Sequence, residues 1–176
     1  MSRLDLAIAT IQRWDERVCV RANRALRYAT VLPLFRVISW LGNGIFWYAL
    51  MLAFLLQHGR DAAQPVLHMA VVGAVCTLAY KLLKRGILRP RPYQALQAIS
   101  AGTGVLDAFS FPSGHTLHAV AFTIVACAYY PLLAAPLVAF TLLTAASRVV
   151  LGLHYPSDVL AGAGIGAAVA AVSLGF

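Results

Sequence analysis

At 176 residues, with 61% hydrophobic and 11% charged residues and a formal charge of +8, the chain has the length of one domain but is too apolar for a soluble globule. Its cations gather at the ends of apolar blocks and in one amphipathic segment, which argues against nucleic acid and for anionic headgroups as the partner of that charge. Cys19, Cys76 and Cys127 are scattered, so they form neither a disulfide framework nor a metal-ligand spacing.

Residues 1–27 place Leu4, Ala7, Ile8, Ile11, Trp14 and Val18 at helical spacing, with Arg3, Arg13, Arg17, Arg21 and Arg24 on the polar surface. Such a stripe suits an interfacial helix lying on a membrane. It equally suits a solvated helix packed on the rest of the bundle. The segment lacks a continuous apolar core and carries acids among its arginines, so no cleavable signal peptide is expected.

Five apolar blocks follow, at Val37–Gln57, Val66–Leu83, Leu117–Tyr130 (reaching back to Gly114 if the helix starts there), Pro136–Leu153 and Val159–Phe176. Each is near the roughly 20 residues that a bilayer core requires. Pro131 and Pro136 bracket an uncharged loop between the third and fourth, and one helix of about 40 residues would overshoot any bilayer. Gly42-Asn43-Gly44 permits close approach or a break in the first span. No repeat, low-complexity tract or linker divides the chain. The expectation is an all-α integral membrane protein forming one domain over 1–176, with an N-terminal amphipathic helix and a transmembrane bundle of about five helices over 37–176, whose loops carry the chemistry.

Three polar segments punctuate the spans. Lys84, Arg85, Arg89 and Arg91 follow the second, where a snorkelling basic collar is the bland reading. The prolines of Arg89-Pro90-Arg91-Pro92 weaken it, because they fix an extended backbone that holds an arginine in one direction, as forked recognition of phosphate oxygens requires. Pro112-Ser113-Gly114-His115 carries a helix start with Ser113 as a plausible cap. Its free N–H groups and the helix dipole favour an anion, and Gly114 lets that anion approach the backbone. Taken alone, these four residues also fit an ordinary capped helix. His118, one turn beyond His115, reads as a packed interior histidine.

Ser147-Arg148 closes the fourth span, Gly152 can break it, and His154 precedes the helix start Pro156-Ser157-Asp158. Asp158 lies four residues after His154, within reach of its ring, and a carboxylate there would fix the imidazole tautomer and free the other nitrogen to attack. Apart from Asp107, Asp158 is the only acid beyond residue 61, and an acid so rare in an apolar chain makes Asp158 a functional candidate. Three cations, two histidines, a carboxylate and a glycine-flanked helix start are what displacement at phosphorus needs.

These segments resemble the three signature motifs of the type 2 phosphatidic-acid phosphatase superfamily, which includes bacterial lipid phosphatases, glucose-6-phosphatase and the vanadium haloperoxidases. Lys84, six residues, then Arg91-Pro92 is similar to the first; Pro112-Ser113-Gly114-His115 to the second; Ser147-Arg148, five residues, His154, three residues and Asp158 to the third. The resemblance implies that His154 attacks phosphorus to give a phosphohistidine, that Asp158 orients it, and that His115 protonates the leaving oxygen. It further implies that Lys84, Arg91, Arg148, Ser113 and the Gly114 backbone hold the phosphate oxygens, with no metal or other cofactor, which agrees with the lack of clustered carboxylates.

The implied function is a membrane lipid phosphatase acting on undecaprenyl diphosphate, phosphatidylglycerophosphate, phosphatidic acid or lipid A phosphate in a bacterial inner membrane. A non-enzymatic phospholipid-binding or transport protein would explain the spans and collar but not the His154 and Asp158 pair; haloperoxidases are soluble and much longer. With five spans, the N-terminus and all three motifs share one side. The positive-inside rule votes for a cytoplasmic site, whereas the resemblance implies an extracytoplasmic one.

Overall fold

The computed structural model describes residues 3–104 and 107–175. Eight helical segments follow one another, with no strand among the described residues: α1 (Arg3–Asn23), α2 (Val31–Trp40), α3 (Phe46–His58), α4 (Ala63–Gly86), a short α5 (Pro92–Ala95), α6 (Gly114–Tyr129), α7 (Ala134–Val150) and α8 (Pro156–Leu174). Three apolar stretches, Val31–Gly86, Pro131–Val150 and Pro156–Leu174, are long enough to cross a membrane. The first is 56 residues long and folds as two legs, because Gly59 takes a positive φ of 56° at the turn after α3. The shorter α6 is also apolar. The five predicted spans are thus α2 with α3, then α4, α6, α7 and α8; Phe176, the predicted end of the last, lies outside the described residues.

The first span begins at Val31, not Val37. Pro33 and Arg36 interrupt its hydropathy, yet a proline in the first turn of a helix has no hydrogen bond to lose. At Gly42-Asn43-Gly44 the break is real. The chain makes a wide π-type turn over Leu41–Ile45 in which Asn43 and Gly44 leave helical geometry, Gly44 with φ 110°.

Side-chain contacts order the helices. At one end Ser39 meets Arg148 and Lys84 meets Asp107. At the other, Phe54 and His58 pack on Tyr130, and His68 bonds Tyr129. Trp47, Met51, Met69, Val72, Leu117, Phe122 and Val125 fill the core between them. α6 and α8 meet backbone to backbone, since a Cβ on Gly162 would lie 2.6 Å from the Ser113 carbonyl oxygen and one on Gly166 would strike that of Leu117. Small residues permit this close crossing.

α1 lies across the polar end. It buries Asp15, Cys19 and Asn23 and leaves Leu4, Leu6, Ile8, Ile11 and Trp14 exposed. The buried face docks on the bundle, as the packed-helix reading expects, while the apolar stripe faces outward. Asn23 makes that dock by donating to the Ser100 and Val150 carbonyls and accepting from the Ser100 N–H.

Candidate active site

The link between α7 and α8 is short and tightly folded. Leu153 and His154 both donate their N–H groups to the Arg148 carbonyl, and Gly152 turns the chain with φ 72°. A Cβ at Gly152 would come within 2.6 Å of Ile99 and 3.0 Å of the Ser100 carbonyl, so both the turn and its packing require glycine. His154 is thereby held with 2% of its surface exposed.

Its Nδ1 lies 2.5 Å from the Ser110 carbonyl oxygen. A carbonyl can only accept, so Nδ1 carries the proton and Nε2 keeps its lone pair. Nε2 is 3.3 Å from Arg91 Nη1. Burial first, then Arg148, Arg91 and Lys84, push His154 well below an ordinary imidazole, with the Ser110 bond opposing. The ring is neutral, with one nitrogen available.

Asp158 is not the direct hydrogen-bond partner that its spacing suggests. Its Oδ2 is 3.9 Å from His154 Nδ1 and accepts the Tyr155 N–H at 2.8 Å, capping α8. Oδ1 accepts Arg89 Nη1 at 2.6 Å. The start of a helix presents its N–H groups to a carboxylate in its first turn, and that local bond outcompetes the imidazole. Asp158 therefore stands behind His154 as a charge.

The cations converge on the other side. Arg91, 2% exposed, donates through Nη1 to the Leu153 carbonyl at 2.8 Å and through Nε to that of Asp107 at 3.1 Å. Asp107 also bridges Arg91 at 2.7 Å and Lys84 at 2.5 Å through its carboxylate. Partial burial would raise that carboxyl, but Lys84 and Arg91 outweigh it and hold it below the usual range. Arg148 donates Nη1 to Ser39 Oγ, while its buried Nε finds no hydrogen-bond partner among the described residues. A buried guanidinium N–H without a partner calls for an acceptor.

Lys84, Arg91, Gly114, His115, Arg148 and His154 all line one cavity of about 630 Å³. Gly114 and His115 open α6, whose first-turn N–H groups are free of helical partners. Ser113 is not brought to the cavity wall. Its hydroxyl is buried against Thr116 Oγ1 at 3.0 Å and makes no cap bond, and its N–H donates to the Asp158 carbonyl. His118 bridges α6 to α4, bonding the Gly114 carbonyl and Thr77. From the cations the cavity runs between α2–α3 and α4 to Trp47, Met51 and Ala70; Ala70 stands four turns before Lys84, about 20 Å along the helix.

Sequence reasoning missed Ser110, Asp15 and the direction of Arg89, and it assigned no role to Asp107. Arg89 turns away from the cavity to Asp15 and Asp158. Only its alternation with Arg91 across Pro90, in an extended segment, could have signalled opposite directions. No group of three His, Cys, Asp or Glu side chains among the described residues is placed to share a metal ion.

The sequence profile described as the PAP2 superfamily matches residues 62–176. Undecaprenyl-diphosphatase BcrC of Bacillus subtilis is 35% identical over 130 residues, covering 73% of this chain and 64% of that protein. Lipid A 1-phosphatase of Rhizobium johnstonii is 33% identical over 124 residues, covering 64% of this chain and 50% of the relative. The chain thus spans half to just under two thirds of the length of these two relatives. Among solved structures, Aquifex aeolicus LpxE superposes with a TM-score of 0.81 at 26% identity, covering 93% of this chain and 96% of that one. The first transmembrane PAP2 type phosphatidylglycerolphosphate phosphatase from Bacillus subtilis gives a TM-score of 0.77 at 27% identity, covering 98% and 90%.

Proposed function

The chain belongs to the PAP2 superfamily, and from that premise we propose that it is a membrane lipid phosphatase, cleaving a phosphate or diphosphate monoester of a lipid through a phosphohistidine on His154. The observation that carries this reading is a buried histidine whose Nδ1 is committed to a carbonyl while Nε2 sits beside Arg91 in a cavity shared with Lys84 and Arg148. Nε2 forms the bond to phosphorus as the bond between phosphorus and the leaving oxygen breaks, and His115 gives its proton to that departing oxygen. Lys84, Arg91, Arg148 and the Gly114 N–H stabilise the charge on the equatorial oxygens. Water then attacks phosphorus, the N–P bond breaks and inorganic phosphate leaves. Ser113 supports this site from beneath by fixing the start of α6, and Asp158 favours the cation that forms on His154.

The long apolar arm of the cavity supports a lipid as the substrate, and the two named curated relatives act on undecaprenyl diphosphate and lipid A. Purified protein should release phosphate from at least one of undecaprenyl diphosphate, phosphatidylglycerophosphate, phosphatidic acid and lipid A. Turnover should survive excess EDTA and be inhibited by orthovanadate, which imitates pentacoordinate phosphorus. Release from none of the four, or loss on chelation with recovery on adding magnesium or zinc, would sink the proposal.

The same reading puts the protein in a bacterial inner membrane with α1 and the site on the extracytoplasmic side, against the charge rule. In a background without Cys19, Cys76 and Cys127, a cysteine at the exposed Gln97 should react with an impermeant maleimide in intact cells, and one at Arg60 should not. The reverse pattern would return the site to the cytoplasm.

A further inference from the structure

Asp15 is fully buried, although α1 lies outside residues 62–176 matched by the family profile. Its Oδ1 accepts the Ser157 N–H at 2.9 Å, and its Oδ2 accepts Arg89 Nη2 at 2.7 Å and the Ser157 hydroxyl. Arg89 then reaches through Nη1 to Asp158 Oδ1 at 2.6 Å and to Ser157 Oγ at 2.7 Å. Its guanidinium lies 3.9 Å over the Tyr155 ring. Cys19, one turn along α1 from Asp15, lies with its Sγ 3.7 Å from the His154 carbonyl oxygen. The segment from His154 to Asp158 is therefore gripped from behind by α1 and Arg89.

We propose that Asp15 is a positioning residue for the nucleophile His154, acting through Arg89 and Asp158, so that the N-terminal helix completes the active site. This inference rests on the phosphohistidine reading. Two carboxylates share one guanidinium, leaving one net negative charge behind His154, opposite Arg91, Arg148 and Lys84. Once Nε2 bonds to phosphorus the imidazole becomes cationic, and that surplus charge stabilises it. With Asp15 neutralised, Arg89 belongs to Asp158 alone and the surplus vanishes. Asp158 would also lose the anchor that fixes which way Arg89 holds it.

The bland alternative is that Asp15 merely docks α1. Asn23 provides the control, because it docks the same helix through Ser100 and Val150, away from the Arg89 network. Full-length wild type, Asp15→Asn, Asp15→Glu and Asn23→Ala would be compared in mixed micelles with whichever of the four lipids named above the wild type hydrolyses, ³²P-labelled, measuring the single-turnover rate of acid-labile phosphoenzyme formation, KM and thermal unfolding. Asp15→Asn should slow phosphorylation by about 10- to 100-fold with KM unchanged. Asp15→Glu should fall between it and wild type, and Asn23→Ala should keep the wild-type rate even where its unfolding temperature drops. Should Asp15→Asn fail to fold, Asp15→Glu decides, with slowed phosphorylation at wild-type KM supporting the inference and an unchanged rate overturning it. Equal losses in Asp15→Asn and Asn23→Ala, or a wild-type rate in Asp15→Asn, would overturn it while the phosphatase reading stands. A wild type that forms no acid-labile phosphoenzyme would overturn both.

Discussion

α6, which forms one wall of the cavity, is backed by α8 with no space between their backbones, whereas α4 and the α2–α3 leg stand apart around the cavity's apolar arm. Gly162 and Gly166 close the first side. On the second, Ala70, Gly73, Ala74 and Thr77 of α4 and Gly42, Asn43, Gly44 and Trp47 line the cavity. Groups that need fixed positions, His115 at the start of α6 and His154 just before α8, sit where the packing cannot yield. The side that can admit a flexible chain is the one built from small residues and a broken helix.

The comparison is open to test from both sides. The largest effect belongs to the closed side's reactive group: His154→Ala should eliminate turnover and all phosphoenzyme, because the group that bonds to phosphorus is then gone. Trapped phosphate that persists in this variant, or that proves acid-stable, would sink the assignment. Next, Gly166→Leu should destabilise the fold by at least about 1–3 kcal/mol. Leucine is the better helix former by up to about 1 kcal/mol, but its Cβ meets the backbone oxygen of Leu117, which no rotamer change relieves. Unfolding temperature in detergent reports the outcome, and an unchanged value would mean that α6 and α8 are less tightly joined than described.

On the open side, Ala70→Trp should leave folding intact and raise KM about tenfold for long-chain lipid phosphates, the equivalent of roughly 1.4 kcal/mol of binding. A short-chain soluble phosphate ester should be unaffected. Equal losses on both substrates would show that the arm does not hold the chain. The smallest change is expected at the mouth, where Asp107 occupies Lys84 and Arg91. Asp107→Asn should tighten inhibition by orthovanadate by about two- to fivefold, the reach of a partly exposed ion pair; weaker inhibition would mean that Asp107 organises these cations for phosphate.

Lys84, Arg91, His115, Arg148 and His154 could be grouped from the chain alone because anion chemistry restricts residue type and each lies next to a helix end that proline or glycine marks. The apolar blocks followed from their length, although the first is two helices, α2 and α3, joined through Leu41–Ile45. Asp158 shows where local spacing stops informing. Its separation of four residues from His154 gave proximity, but the N–H group of Tyr155 and the guanidinium of Arg89 decided where its oxygens point. Ser113 was legible as a helix start and misleading as a ligand, since its hydroxyl turns to Thr116. Ser110 and Asp15 could not be read, because their partners are 44 and 142 residues distant and no periodicity encodes such pairings.

The bond from Asp15 to Ser157 also orders events in time. α1 leaves the ribosome well before α8, yet the N–H group and hydroxyl that hold its buried carboxylate belong to the first turn of α8. Synthesis at about 5–20 residues per second keeps Asp15 waiting for many seconds while four apolar legs are laid down. Its outward stripe of Leu4, Ile8, Ile11 and Trp14 gives the waiting helix somewhere to rest at the bilayer surface. The clamp behind the reactive centre therefore closes only once α8 has begun to form, long after the helix that carries Asp15 was made.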